Sequence, residues 1–374
     1  MEKKKLRSGY TTGTCAALAA KAAAKMIFQQ KDVEKEIIIT PKQVKIQTLI
    51  EDIKRQKEKV SCAVRKDAGD DPDVTNGILV YAQVSLKKEP GIVIDGGIGV
   101  GRVTKKGLWQ NIGEAAINKV PRQMIELAVK EILEEYGYEG GAEVVISIPQ
   151  GEEIAKKTFN ERLGIVGGLS ILGTSGIVEP MSEQALIDTI HVEMNVATEN
   201  NQGILLVTPG NYGADFVREN LQLSLENAVK CSNYLGEMMD YAKEINVQKI
   251  LLVGHVGKLI KLAGNIVNTH SHMADCRMEI LGVHAAMAGA EAATVKQIME
   301  CISTDEAIRI MKEQEVFSDA MNTIMEKIKY YISLRSENKY KIEVIMFSNE
   351  WGILGQTLGA ETLVEEIRNI QSKR

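Results

Sequence analysis

Proline and histidine are scarce in this sequence, cysteine pairs are missing, and each shortage removes options. Seven prolines in 374 residues leave no proline-rich linker. Only five histidines are present, so a metal sphere built on the His270 and His272 pair would need Asp or Glu as well. The five cysteines, Cys15, Cys62, Cys231, Cys276 and Cys301, form neither a CxxC pair nor a zinc spacing. Scattered in this way they read as the reduced thiols of a cytoplasmic protein. No uninterrupted apolar run reaches the roughly 18 residues of a membrane span. MEKKK followed by CAALAAKAAAKMI imitates a signal peptide, but Lys21 and Lys25 break the apolar stretch. Excess positive charge is absent as well. The net charge is −5, which argues against nucleic acid, whose binding rests on phosphate neutralisation.

What remains is a chain with the composition of an ordinary globular protein, 44% apolar and 25% charged. Its length exceeds what one hydrophobic core organises, so two domains are expected. The first half mixes strands (EIIIT 36–40, NGILVYAQVSL 76–86, AEVVISI 142–148) with helices over 14–28 and 121–136. Thr11 or Thr14 is available to cap the first helix. Met124, Leu127, Ala128 and Ile132 form one stripe of the second. The second half carries continuous apolar strands, ILLVTPGNYG, KILLVGHVG and KIEVIMF, alternating with helical patterns. Ser303 and Glu306 form a capping box, and Phe317, Met321, Ile324 and Ile328 share a helix face. The expected fold is α/β overall: an N-terminal α+β domain over 1–170, then a C-terminal α/β domain over 171–374 with a mainly parallel sheet. The glycine-rich ERLGIVGGLSILGTSGIVEPMS carries the boundary.

Several segments carry candidate chemistry. The TTGT start of the alanine helix offers Thr11, Thr12 and Thr14 beside free helix N–H groups, a candidate carboxylate or phosphate site. VRKDAGDDPDVTNG holds Arg65, Lys66 and Asp67, but its aspartates lack calcium-loop spacing. IVIDGGIGVGR looks like a cofactor loop, yet Val103, Thr104 and Gly107 predict strand, turn, strand, with no helix to follow. Its candidates, Asp95, Gly99, Arg102 and Lys105, together with Arg122, then make a basic loop region. NTHSHMADCR contains His270, His272 and Asp275, which admits a metal-dependent hydrolase as an alternative; hydrogen-bonding or proton-transfer roles suit these histidines and His255 better. Finally, TPGNYG (Gly210, Asn211, Tyr212, Gly213) and VGHVGK (Gly254) close apolar strands at the edge where open parallel sheets bind ligands. Gly173, Thr174 and Ser175 join them as cofactor candidates.

RSGYTTGTCAA, VRKDAGDDPDVTNG, GGIGVGRVTKKGL, RLGIVGGLSILGTSGIVEPMS, TPGNYG, KCSNYLGEMMDYA and VGHVGKLIKLAGNIVNTHSHMAD together resemble the cobalt-precorrin-5B C(1)-methyltransferase (CbiD) family. The resemblance runs through nearly the whole chain in order. It implies methyl transfer from S-adenosylmethionine to ring carbon 1 of cobalt-precorrin-5B, giving cobalt-precorrin-6A, in anaerobic cobalamin synthesis. It also implies that cobalt arrives with the substrate, so no protein-bound metal is needed, and that the partner is a small tetrapyrrole. Homo-oligomerisation is left open, and a non-catalytic tetrapyrrole carrier is a further alternative. The substrate's carboxylates would suit Arg65, Arg102, Lys105 and Arg122.

Overall fold

Alanine has the highest helix propensity and the smallest side chain that still supports one, and CAALAAKAAAK becomes a helix, Thr12–Gln29, buried on nearly every side. Thr11 caps it, its side chain accepting from the Thr14 backbone N–H at 3.2 Å. Small side chains let neighbouring elements approach closely, so this helix is the centre of a core rather than its lid. Lys21, which interrupts the apolar run, donates to both Glu131 carboxylate oxygens at 2.8 Å. The partner helix, Lys119–Glu135, buries Met124, Ala128 and Ile132 together with Ile125, Val129 and Leu133. Leu127, expected on that stripe, is instead exposed, because Ile125 and Val129 turn the buried face away from it.

The computed structural model describes residues 6–373; the MEKKK opening lies outside them. The chain divides into two compact units, residues 1–183 and 184–374. In the first, five strands are ordered Glu51–Gln56, Lys59–Arg65, Leu79–Lys87, Gly141–Ser147, Gly91–Gly96. All neighbours are antiparallel except the last pair, which is parallel. Residues 171–183, assigned from the sequence to the second domain, pack with the first unit. Ile171 bridges Ile117, and Ile177–Val178 pairs with Gly9–Tyr10.

The second unit is built on the sheet Val229–Lys230, Ile204–Thr208, Lys249–His255, Lys341–Ser348, Gly352–Gln356. Its first four strands are parallel and the last is antiparallel. Alternate side chains serve opposite faces, as strand geometry requires. Leu205, Val207, Ile250, Leu252, Ile342 and Val344 enter one core. Leu206, Leu251, Val253, Ile345 and Phe347 enter the other, with Phe216 and Leu363 from covering helices. The parallel strands therefore read as unbroken apolar runs because both faces are covered. Ser303 caps the helix Thr304–Glu313, accepting from the Glu306 N–H at 3.2 Å. The Glu306 carboxylate returns to Ile302 rather than to Ser303. Among the described residues no helix is long and apolar enough to cross a membrane.

Candidate functional site at the switch point of the parallel sheet

Ile204–Thr208 lies between Val229–Lys230 on one side and Lys249–His255 on the other. The chain leaves Ile204–Thr208 toward one neighbour and returns to the other. The carboxyl ends of Ile204–Thr208 and Lys249–His255 thus border a topological switch point, where open α/β sheets have their ligand crevice. Pro209 to Gly213 follows the first strand and His255 to Lys258 the second.

The glycines at this edge do different jobs. A side chain at Gly213 would meet the Val253 carbonyl at 2.8 Å, and one at Gly254 would meet Leu259 at 2.9 Å. Close packing of helix and strand there leaves no room for a side chain at either position. Gly210 is the exception: the Lys258 ammonium, at 3.9 Å, is all that a Cβ there would meet. Gly210 also precedes the helix Asn211–Glu219, which no side chain caps. Its opening N–H groups are thus left without a side-chain acceptor.

The rings of Tyr212 and His255 stand 5.8 Å apart, and His255 meets the Phe347 edge at 5.7 Å. His255 Nδ1 accepts the Gly257 N–H at 3.1 Å, which puts the neutral ring's proton on Nε2. Burial holds the His255 pKa below the ordinary histidine value, against an opposing pull from Asp305. Lys258 donates to the carbonyls of Pro209 and Ser232, each at 3.3 Å. Lys230 donates to the Asn211 side chain at 2.6 Å.

The NTHSHMADCR loop adjoins this edge. The Thr269 N–H donates to the Asn233 carbonyl at 3.0 Å, and buried Lys261 ties the loop down through the carbonyls of Thr269 (3.1 Å) and Ala274 (2.7 Å). His270 and His272 are exposed. His270 Nδ1 accepts the His272 backbone N–H at 3.1 Å. The Asp275 carboxylate is held by Arg277. Among the described residues no three His, Cys, Asp or Glu side chains gather where a metal ion could be held, so the hydrolase alternative lacks its constellation.

In the first unit the expected anion-binding groups already have protein partners. Thr14 Oγ donates to the Gly176 carbonyl at 2.7 Å, while Thr12 exchanges hydrogen bonds with the Leu172 backbone. A Cβ at Gly173 would fall 2.4 Å from Thr11 Oγ. The start of the alanine helix is thus covered by residues 172–176 of its own chain. Gly173, Thr174 and Ser175 lie there, within the first unit rather than in the second domain to which the sequence assigns them. Arg65 pairs with Glu51, and Asp67 with Arg7 at 2.6 and 2.8 Å. Arg122 donates to the carbonyls of Ile117, Ile94 and Ala115. Arg102 grips Asp95 and the Gly96 carbonyl. Gly91–Gly96 and Arg102–Val103 are strands, as the strand, turn, strand reading requires. Lys105 packs its methylenes against Gly164. Gly99 sits at φ +72° against the Ile148 carbonyl.

The sequence model of the family CbiD matches residues 1–180, and that of "CbiD, C-terminal domain" matches 268–358. The chain belongs to the CbiD family. A CbiD relative from Ruminiclostridium cellulolyticum, called cobalt-precorrin-5B C(1)-methyltransferase, is 52% identical over 97% of this chain and 96% of its own. A relative of the same name from Alkaliphilus metalliredigens is 45% identical over 98% and 96%. A crystal structure of the cobalamin biosynthesis protein CbiD from Archaeoglobus fulgidus is 29% identical, with 74% of this chain and 86% of that chain covered and a TM-score of 0.39.

Lys230, Lys258 and Lys261 of this CbiD chain also gather at this edge. Lys258 had a signal in the sequence, since it closes VGHVGK at the end of an apolar strand. Lys230 and Lys261 had none, because only the folded loops bring them to the same edge.

Proposed function

We propose that this chain transfers a methyl group from S-adenosylmethionine to ring carbon 1 of cobalt-precorrin-5B, yielding cobalt-precorrin-6A and S-adenosylhomocysteine. The observation that carries this reading is 52% identity, across 97% of the chain, to a relative called cobalt-precorrin-5B C(1)-methyltransferase. Such a chain is an enzyme of cobalamin synthesis and takes a tetrapyrrole as substrate. The cobalt enters with that substrate. Five unpaired thiols suit the reducing cytoplasm.

The switch-point edge suits the methyl donor. It offers an open face at Gly210, an uncapped helix start, and the rings of Tyr212 and His255 as a wall for a flat base. S-adenosylmethionine, when bound, supplies an electrophilic methyl group on a sulfonium. The chain's part is then orientation: in-line displacement needs donor and acceptor aligned, and holding them so lowers the barrier more than a strong base does. His255, neutral and donating from Nε2, suits a hydrogen bond to a bound ligand better than proton abstraction. The Arg102–Asp95 pair and the adjacent Lys105 suit the carboxylate rim of the tetrapyrrole.

Purified protein incubated with cobalt-precorrin-5B and methyl-labelled S-adenosylmethionine should yield labelled cobalt-precorrin-6A and one equivalent of S-adenosylhomocysteine. Tight substrate binding without label transfer would instead identify a carrier.

A further inference from the structure

Burying an ammonium is costly unless an anion or a set of acceptors replaces its water. At the switch point Lys258 is half-buried, and its hydrogen bonds go to two carbonyls, both at a long 3.3 Å. Among the described residues no carboxylate pairs with it. The other ionisable groups that act on it are the Cys231 thiol and two cations, Lys230 and Lys261. Glu193, an acid that acts on the same Cys231, is itself buried and accepts the Lys230 backbone N–H at 2.9 Å. Burial, with these two lysines adding to it, draws the Lys258 pKa below the ordinary lysine value. An anion would reverse that balance.

Geometry says where the anion would sit. Lys258 lies 3.9 Å from the open side of Gly210. Gly210 opens the Asn211–Glu219 helix, whose first N–H groups no side chain satisfies. The Lys230 ammonium reaches the first residue of that helix through the Asn211 side chain. A carboxylate above Gly210 would meet an ammonium from one strand end and helix N–H groups from the other, and both prefer a negative partner.

We propose that Lys258, with the start of the Asn211–Glu219 helix, forms a carboxylate-binding site that anchors a ligand in the switch-point crevice. The proposal rests on the methyltransferase reading for the identity of its ligands. Two ligands of that reaction bring carboxylates: the amino-acid end of the methyl donor and the acid side chains of the tetrapyrrole. The shared chemistry is the carboxylate, and binding measurements tell the sources apart.

Calorimetry on the full chain, with S-adenosylhomocysteine, 5′-methylthioadenosine and cobalt-precorrin-5B as separate probes, tests this. 5′-Methylthioadenosine keeps the nucleoside and lacks the carboxylate. If the donor supplies the anion, Lys258→Met weakens S-adenosylhomocysteine binding by about tenfold or more and leaves 5′-methylthioadenosine unchanged, while Lys258→Arg keeps affinity within a few-fold. If the substrate supplies it, the same pattern appears with cobalt-precorrin-5B and both nucleosides are unaffected. Unchanged affinity for all three probes in a folded Lys258→Met protein, or equal losses for the two nucleosides, overturns the site. Label transfer by the wild-type protein is read separately: its absence overturns the methyltransferase reading, while the affinity differences still judge Lys258.

Discussion

Arg102 donates from its two terminal nitrogens to the two oxygens of Asp95, at 2.6 and 3.0 Å, although the residues lie on opposite arms of a glycine-rich turn. The second nitrogen also reaches the Gly96 carbonyl at 2.6 Å. The guanidinium that looks like a substrate clamp in the sequence is therefore first a brace for its own turn. Both side chains are half-exposed, so Arg102→Ala should cost about 1 kcal/mol at neutral pH. Arg102 holds the Asp95 carboxyl below its ordinary pKa. The pair's contribution is therefore complete above the unfolded value of about 3.9 and fades as pH falls through the lower folded value. Urea unfolding of both proteins at pH 7 and near pH 3 should show the difference shrinking in acid.

The same variant separates bracing from substrate binding. If Arg102 also meets the tetrapyrrole, Arg102→Ala should raise the substrate KM by about tenfold and leave S-adenosylhomocysteine affinity unchanged by calorimetry. Equal losses for both ligands would contradict separate sites.

Gly99 combines φ +72° with a position where a Cβ would fall 1.8 Å from the Ile148 carbonyl oxygen. Neither the conformation nor the space admits a side chain. Gly99→Ala should lower stability by about 3 kcal/mol or more, seen as a fall in Tm or loss of soluble protein. A Tm within two degrees or so of wild type would refute the packing.

Gly210 and Gly254 should respond in opposite ways. Gly210 is extended, with φ −173°, and faces open space, so Gly210→Val should fold normally and lose methyl-donor affinity. A Cβ at Gly254 presses on Leu259, so Gly254→Ala should lower Tm first. Donor calorimetry and thermal melts on the two variants distinguish a ligand-facing glycine from a packing glycine.

Cys15, Cys62 and Cys231 are fully buried, and burial raises each thiol pKa to about 12. Cys276 is exposed. Brief iodoacetamide treatment at pH 8 should therefore modify Cys276 in the native protein and the other three only after denaturation, as peptide mass spectrometry would show. Rapid native labelling of Cys15 would contradict its place inside the alanine helix.

Much of the fold is legible in the residues. Period and propensity are local, so the alanine helix, the apolar strands, the Ser303 cap and the absence of a helix after Gly101 all follow from short windows. Leu127 marks the limit, because the sequence allows two overlapping apolar stripes and only packing against the alanine helix chooses between them. The site was less legible. The TTGT helix start has the chemistry of an anion site, but Leu172 and Gly176, about 160 residues away, already occupy it.

The sequence by itself determined the family, the order of helices and strands, and the edge of the parallel sheet where ligands are expected. These depend on residue type and short spacing. Tertiary structure alone decided which charges are spent and which are not. Arg65 meets Glu51, Asp67 meets Arg7, and Lys258 meets only carbonyls. Long-range packing brings these partners together. A charge's role depends on what neutralises it after folding, and local sequence does not encode that.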